Sequence, residues 1–144
     1  MPIVAAVDRS ERGDEIVAEA NELANAFDQD LHVVHVLSQS EFVELERTSV
    51  DDTGQAIEMD DIRGIAREIA RECADGVADN YEAVGLVGDA ADEIVRYSSK
   101  NDARYIVISG RRRSPVGKAL FGSVTQSVLL DADRPVVTTI HGED

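Results

Sequence analysis

Apolar residues occur along this chain in two alternating patterns. Ile3 to Val7, Leu31 to Leu37, Ala83 to Val87, Tyr105 to Ile108 and Val136 to Ile140 are short, nearly continuous runs rich in Val and Ile, the pattern of strands covered on both faces. Between them the period changes to about 3.6 residues. Ile16, Val17, Ala20, Leu23, Ala24 and Phe27 form one stripe, and Ile62, Ile65, Ala66, Ile69, Ala70, Cys73 and Val77 form a second. Ala91, Ile94 and Val95 mark a third helix, and Leu120, Phe121, Val124 and Val128 a fourth. Strict alternation of strands with helical crossovers predicts an α/β fold, a doubly wound open sheet of five parallel strands with four helices. In such sheets ligands sit outside the carboxyl ends of the strands, where the winding reverses. With the first strand central, Asp8-Arg9-Ser10 and the segment after the fourth strand face each other there.

One connection is far longer than the usual ~2–6 residues. From Ser38 to about Asp60 the chain is mostly polar and acidic, which fits either a lid over the crevice or a solvated insertion with one turn around Phe42 to Leu45. A length of 144 residues suits one domain spanning 1–144. The first charge, Asp8, comes early, and no apolar run approaches the ~20 residues of a membrane span, so the reading is a soluble, cytoplasmic protein with no membrane partner. Cys73, the single cysteine, has no disulfide partner within the chain and sits on a helical stripe as a buried, inert thiol.

Charge sharpens the functional reading. A net charge of −15 repels nucleic acid and anionic membranes and leaves small molecules or proteins as partners. The basic residues are nearly all Arg, Lys100 and Lys118 excepted, an acid-rich, Lys-poor composition similar to proteins of salt-loving organisms. Against that background Ser109-Gly110-Arg111-Arg112-Arg113-Ser114-Pro115-Val116-Gly117-Lys118 is anomalous: Arg111, Arg112, Arg113 and Lys118 gather after the fourth strand. The segment is not a P-loop, because six residues separate Gly110 from Gly117 and Ala119 stands where a hydroxyl would be needed. The dinucleotide fingerprint is absent too, since the loop after the first strand holds only Gly13.

What remains can still bind an anion. Ser123-Val124-Thr125-Gln126 reads as a capping box that starts a helix at Ser123, preceded by a short helical piece around Lys118 to Phe121. A helix amino end offers free N–H groups and partial positive charge. The arginines could grip phosphates, pair with the acidic 38–60 segment, or meet a partner subunit. Asp8 could accept from a ribose hydroxyl, hold a metal, or cap the following helix, and Asp89 reads as the cap of the third helix. His32, His35 and His141 form no metal-ligand pattern, and no nucleophile has a base-bearing context.

The whole chain resembles the universal stress protein family. The resemblance rests on Ile3-Val4-Ala5-Ala6-Val7-Asp8, Leu31-His32-Val33-Val34-His35-Val36, Gly88-Asp89-Ala90-Ala91, Asp102-Ala103-Arg104-Tyr105-Ile106-Val107-Ile108, Phe121-Gly122-Ser123-Val124-Thr125 and Asp133-Arg134-Pro135-Val136-Val137. It implies strand order 3-2-1-4-5, an adenine-nucleotide alpha-hydrolase-like fold, and ATP, ADP or AMP as ligand, with magnesium accompanying the nucleotide. Adenine would lie near Val36, ribose near Asp8, and phosphates on the loop after the fourth strand. The implied binding set is Ala6, Val7, Asp8, Val36, Ile108, Ser109, Gly110, Arg112, Arg113, Gly122, Ser123, Val124 and Thr125. In the family's motif a Gly, two residues, a second Gly and nine residues precede the final Gly-Ser or Gly-Thr. Here Gly122-Ser123 is intact, while Ser109 and Arg112 replace the first two glycines and Gly110 is shifted by one. The leading expectation is a regulatory ATP-binding stress protein; the alternative is a nucleotide-free interaction module whose Arg loop takes another anion or a protein. Without a visible base, turnover reduces to at most slow ATP hydrolysis. The last strand, at a sheet edge, is expected to pair in a homodimer.

Overall fold

The computed structural model describes residues 1–9, 12–54, 58–110, 112–113 and 119–139. Its elements are β1 (Ile3–Ala6), α1 (Gly13–Phe27), β2 (Leu31–Leu37), α2 (Gln39–Thr53), α3 (Met59–Ala74), β3 (Glu82–Val87), α4 (Ala90–Lys100), β4 (Tyr105–Ile108), β5 (Arg112–Arg113), β6 (Ala119–Leu120), α5 (Ser123–Asp131) and β7 (Val136–Thr138). The main sheet has the order β3-β2-β1-β4-β7 with every pairing parallel, which is the expected order once the two short strands are set aside. Among the described residues no helix is long and apolar enough to cross a membrane.

Alternation within each strand builds two cores. Ile3, Ala5, Val7, Leu31, Val33 and Val107 point to one face, where α1 supplies Ile16, Val17 and Ala20 and α3 supplies Ala70 and Ala74. Val4, Ala6, Val34, Val36, Ile106 and Ile108 point to the other, against Ala91 and Ile94 of α4 and Val128 of α5. Each buried Val, Leu or Ile contributes about 1.5–3 kcal/mol, so the sheet is the main source of stability. Cys73 packs beside the first core, and burial, followed by the Glu72 charge, pushes its thiol above the ordinary pKa, which keeps it protonated and unreactive.

Three expectations need correction. The 38–60 segment is neither a loop nor a lone turn, because it contains the fifteen-residue helix α2, raising the described helices to five. Ser38 caps it: its Oγ accepts from the Glu41 N–H at 3.2 Å, and the Glu41 carboxylate accepts from the Ser38 N–H at 3.3 Å. Gly54, at φ 74°, closes the other end, and Phe42 and Leu45 pack on Leu37, Ile62 and Ala66. Second, Leu120 is not helical; Leu120 and Ala119 pair with Arg112 and Arg113 in a short antiparallel ladder, and Lys118 lies outside the described residues. Third, α5 begins at Ser123 as expected, but Ser123 does not cap it: Gly122 is the N-cap, with no side-chain capping bond. Asp89 does cap α4, accepting from the Asp92 N–H at 3.0 Å.

At the far end of the sheet, His32 Nε2 lies 3.1 Å from Glu82 and its Nδ1 2.7 Å from the Tyr97 hydroxyl. A carboxylate only accepts, so Nε2 carries the proton and Nδ1 accepts from Tyr97. Burial, and after it the Glu82 charge, pushes Tyr97 up to about 12.

Two experiments follow from this packing. A Cβ at Gly85 would overlap the Arg63 carbonyl and the Arg67 N–H, both backbone, whereas one at Gly64 would have no atom of the described residues within 4 Å beyond its own helix backbone and chain neighbours. Gly85→Ala should therefore cost about 3 kcal/mol in urea unfolding, as overpacking does, while Gly64→Ala inside α3 should add about 1 kcal/mol. For Tyr97, the unfolded chain loses the phenol proton near 10 and the folded chain only near 12. Stability should thus fall as pH rises through that window. Tyrosinate absorbance should show a last titration step that Tyr97→Phe removes.

Candidate functional site

The strands are parallel, so all their carboxyl ends lie at one edge of the sheet. Winding reverses between β2 and β4, on either side of β1. A cavity of about 210 Å³ opens at this point. Its lining comes from the end of β1 (Ala6, Val7, Asp8), from β2 (Val34, His35, Val36), from α4 (Ala90, Ile94), from the end of β4 (Ile108, Ser109) and from the start of α5 (Gly122 to Thr125). A larger hollow, about 610 Å³, lies at the amino ends of β2 and β3 among Asp30, Asp79, Glu82 and several carboxamides. The carbonyl end of α1 and those carboxylates make that hollow unsuited to an anion.

The smaller cavity therefore gathers ten of the thirteen sequence-derived candidates: Ala6, Val7, Asp8, Val36, Ile108, Ser109, Gly122, Ser123, Val124 and Thr125. Gly110 is not among its lining residues. It is pressed against the edge strand instead, because a Cβ there would overlap the Thr139 carbonyl, and its N–H donates to Thr139 Oγ1 at 3.2 Å. Its φ is not positive, so close approach rather than backbone freedom explains the glycine. The backbones of Arg112 and Arg113 form β5, and the rest of the basic loop, from 114 to 118 and at 111, lies outside the described residues. Asp8 is not the cap of α1, whose N-cap is Arg12.

The electrostatics single out α5. The helices α1, α2, α3 and α4 each carry an acidic residue in the first turn, namely Asp14 and Glu15, Glu41, Asp60 and Asp61, and Asp92 and Glu93. The first turn of α5 has none, and no side chain caps it. Its first intrahelical N–H bond runs from Gln126 to the Gly122 carbonyl at 3.0 Å, so the N–H groups of Ser123, Val124 and Thr125 have no intrahelical acceptor. Thr125 locks the adjoining loop by donating its hydroxyl to the Ser109 carbonyl at 2.8 Å. Gly122 has φ −67°, open to any residue, and among the described residues no atom beyond its chain neighbours lies within 4 Å of a Cβ placed there.

His35 was missed by sequence reasoning. It is only 4 % exposed and lines the cavity. Its Nδ1 faces the Val7 carbonyl at 2.9 Å, which can only accept, so Nδ1 carries the proton. Nε2 is left as a buried acceptor with no partner among the described residues. The available signal was an imidazole near the carboxyl end of a strand that is apolar apart from His32 at its other end, a position where buried polarity needs a reason. Apolar Ala6, Val34, Val36, Ile94 and Ile108 suit a flat aromatic base, and the amino end of α5 suits an anion. Among the described residues no cluster of His, Cys, Asp and Glu could hold a metal ion by itself.

Known proteins share this fold. A universal stress protein from Archaeoglobus fulgidus is 33 % identical, with 96 % of this chain and 97 % of that chain covered and a TM-score of 0.62. A second structure from Archaeoglobus fulgidus, a universal stress protein in complex with dAMP, is 26 % identical over 96 % of both chains, with a TM-score of 0.57. A universal stress protein of Mycolicibacterium smegmatis is 45 % identical over 49 residues, a stretch that spans 34 % of this chain and 38 % of that relative. The family described as Usp, universal stress protein family, matches residues 1–139, and the chain belongs to that family.

Proposed function

We propose that the chain is a cytoplasmic stress-response protein that binds ATP or a related adenine nucleotide as a regulatory ligand, at the carboxyl ends of β1 and β4. The observation that carries this reading is the unopposed amino end of α5 on one wall of the cavity. In a chain of charge −15, with acid in the first turn of the other described helices, this helix end is kept free of both acid and cap. In this reading the apolar wall beside it takes the base, Asp8 accepts from a ribose hydroxyl, and Ser123 adds a hydroxyl to the backbone donors. The dAMP complex of the 26 % identical relative supports the ligand class. Magnesium would arrive with the nucleotide's phosphates. In this reading the ligand acts by occupancy, with at most slow hydrolysis.

A second reading, a nucleotide-free interaction module, is favoured by one observation. The backbone that opens the loop is already engaged, Ser109 with Thr125 and Gly110 with Thr139. In both readings the chain pairs with a second copy through β7. That strand is an edge with one parallel neighbour, and Leu129 and Leu130 of the preceding helix are 40 % and 80 % exposed.

Calorimetric titration with ATP, ADP and AMP in molar potassium chloride, where the acidic charge is screened, decides between the readings. Heat is expected with at least one of the three. Silence from all, in a folded sample, would pass the argument to the interaction module. Light scattering should return about twice the 15.6 kDa chain mass, and a monomer would remove the edge-pairing proposal.

A further inference from the structure

We infer that α2 is a strap that opens as one unit while the rest of the fold stays closed, uncovering an apolar strip of β2 and α3 at the carboxyl edge of the sheet.

The hold of α2 on the body is slight. The other described helices each bury part of themselves: Ile16, Val17 and Ala20 in α1, Ile62, Ala66 and Ile69 in α3, Ala91 and Ile94 in α4, and Val128 in α5. Among the described side chains of α2 none is buried. Phe42 and Leu45 are half-buried against Leu37, Ile62 and Ala66, while Val43 and Val50 are 50 % and 46 % exposed. The seat is also incomplete, because a hollow of about 300 Å³ lies between α2 and α3, lined by Leu37, Leu45, Ile65 and Ile69 among others. Leu45 thus lacks partner atoms on that side.

Polar contacts do not make up the difference. Among the described side chains, the hydrogen bonds of the segment stay within it: Ser38 with Ser40 and Glu41, and Thr48 donating to the Glu44 carbonyl at 3.0 Å. Arg9 borders the hollow, yet its guanidinium pairs with Glu72 of α3 at 3.1 Å. The helix is also finished at both ends by its own residues, since the Ser38–Glu41 capping box and Gly54 supply partners to its terminal backbone groups. Undocking leaves those caps intact.

The body holds without it. The Arg63 and Arg67 backbone of α3 lies against Gly85 of β3, and Ala70 and Ala74 belong to the first core, so α3 stays on the sheet when α2 leaves. Leu37 and Ile62, now 2 % and 0 % exposed, then lose the cover of Phe42 and Leu45. Leu37 directly follows Val36 of the cavity wall and directly precedes the Ser38 cap, so the strap is hinged at the rim of the candidate site. It is the part of that rim that opens most readily.

Amide-resolved hydrogen exchange of the full chain, in a urea series below the unfolding transition, tests this. An undocked helix of fifteen residues is marginal in water, so its amides exchange once it leaves. Amides of residues 42–53 should exchange at least about 100-fold faster than the most protected amides of α3 and β1, with one common opening constant and a shallow urea dependence. Phe42→Ala should speed exchange in α2 about tenfold and leave α3 and β1 unchanged. Protection of α2 equal to that of α3, with the same steep urea dependence, would mean that α2 leaves only on global unfolding and would overturn the inference. Protection graded along the helix toward Gly54 would mean fraying and would overturn it as well. A thiol trap reads the uncovered strip: in a Cys73→Ser background, Leu37→Cys should react with a water-soluble disulfide reagent in proportion to the opening constant of α2. Reaction only as fast as global unfolding would count against the strap, and the exchange series on the unaltered chain decides by itself where that variant does not fold.

Discussion

All five strands of the main sheet run the same way, and the rest of the molecule follows from that constraint. Parallel pairing forces each connection to cross back along a face, so both faces are covered and the strands must be apolar on both sides. It also gathers the amino ends of the helices at the carboxyl edge of the sheet. Where the order reverses around β1, neighbouring connections diverge to opposite faces and leave room between them. The cavity is therefore a topological product, and its walls are apolar because they are the last turns of two cores.

Whether such a crevice attracts an anion depends on how each helix end is finished. In α1 to α4, acids in the first turn neutralise the amino-terminal partial charge, and in α2 and α4 side chains also cap it. At α5 neither device is present. The long-range field of a −15 chain repels anions, so attraction at this end must be local, from N–H groups a few ångströms from the ligand. Short range and partial enclosure make that local term effective where surface charge would be screened.

The loop between β4 and α5 has obligations in two directions. Thr125 holds its first carbonyl toward the cavity, while Thr139 draws Gly110 toward the edge strand. A glycine that could have served ligand approach instead lets β7 lie close. The same backbone group cannot do both, so the departure from the family's glycine spacing has a consequence for which donors a ligand can meet.

Much of this was legible in the chain. Continuous Val and Ile runs separated by 3.6-periodic segments specify a covered parallel sheet, because no other arrangement buries both patterns. Ser38 with Glu41, and Gly54, also marked α2 at both ends, but its few apolar positions look like a loop until Phe42 and Leu45 are seen seated on Ile62 and Ala66. The strands, most helices and ten of the cavity residues thus came from local pattern and family spacing. The amino acid sequence by itself determined which residues must be buried and where the ligand end of the sheet lies. Only the tertiary structure decided that Gly110 faces Thr139, that α5 starts uncapped at Gly122, and that His35 keeps a lone acceptor beside the cavity. Those facts depend on contacts between segments about 30 residues apart, which residue spacing along one segment does not encode.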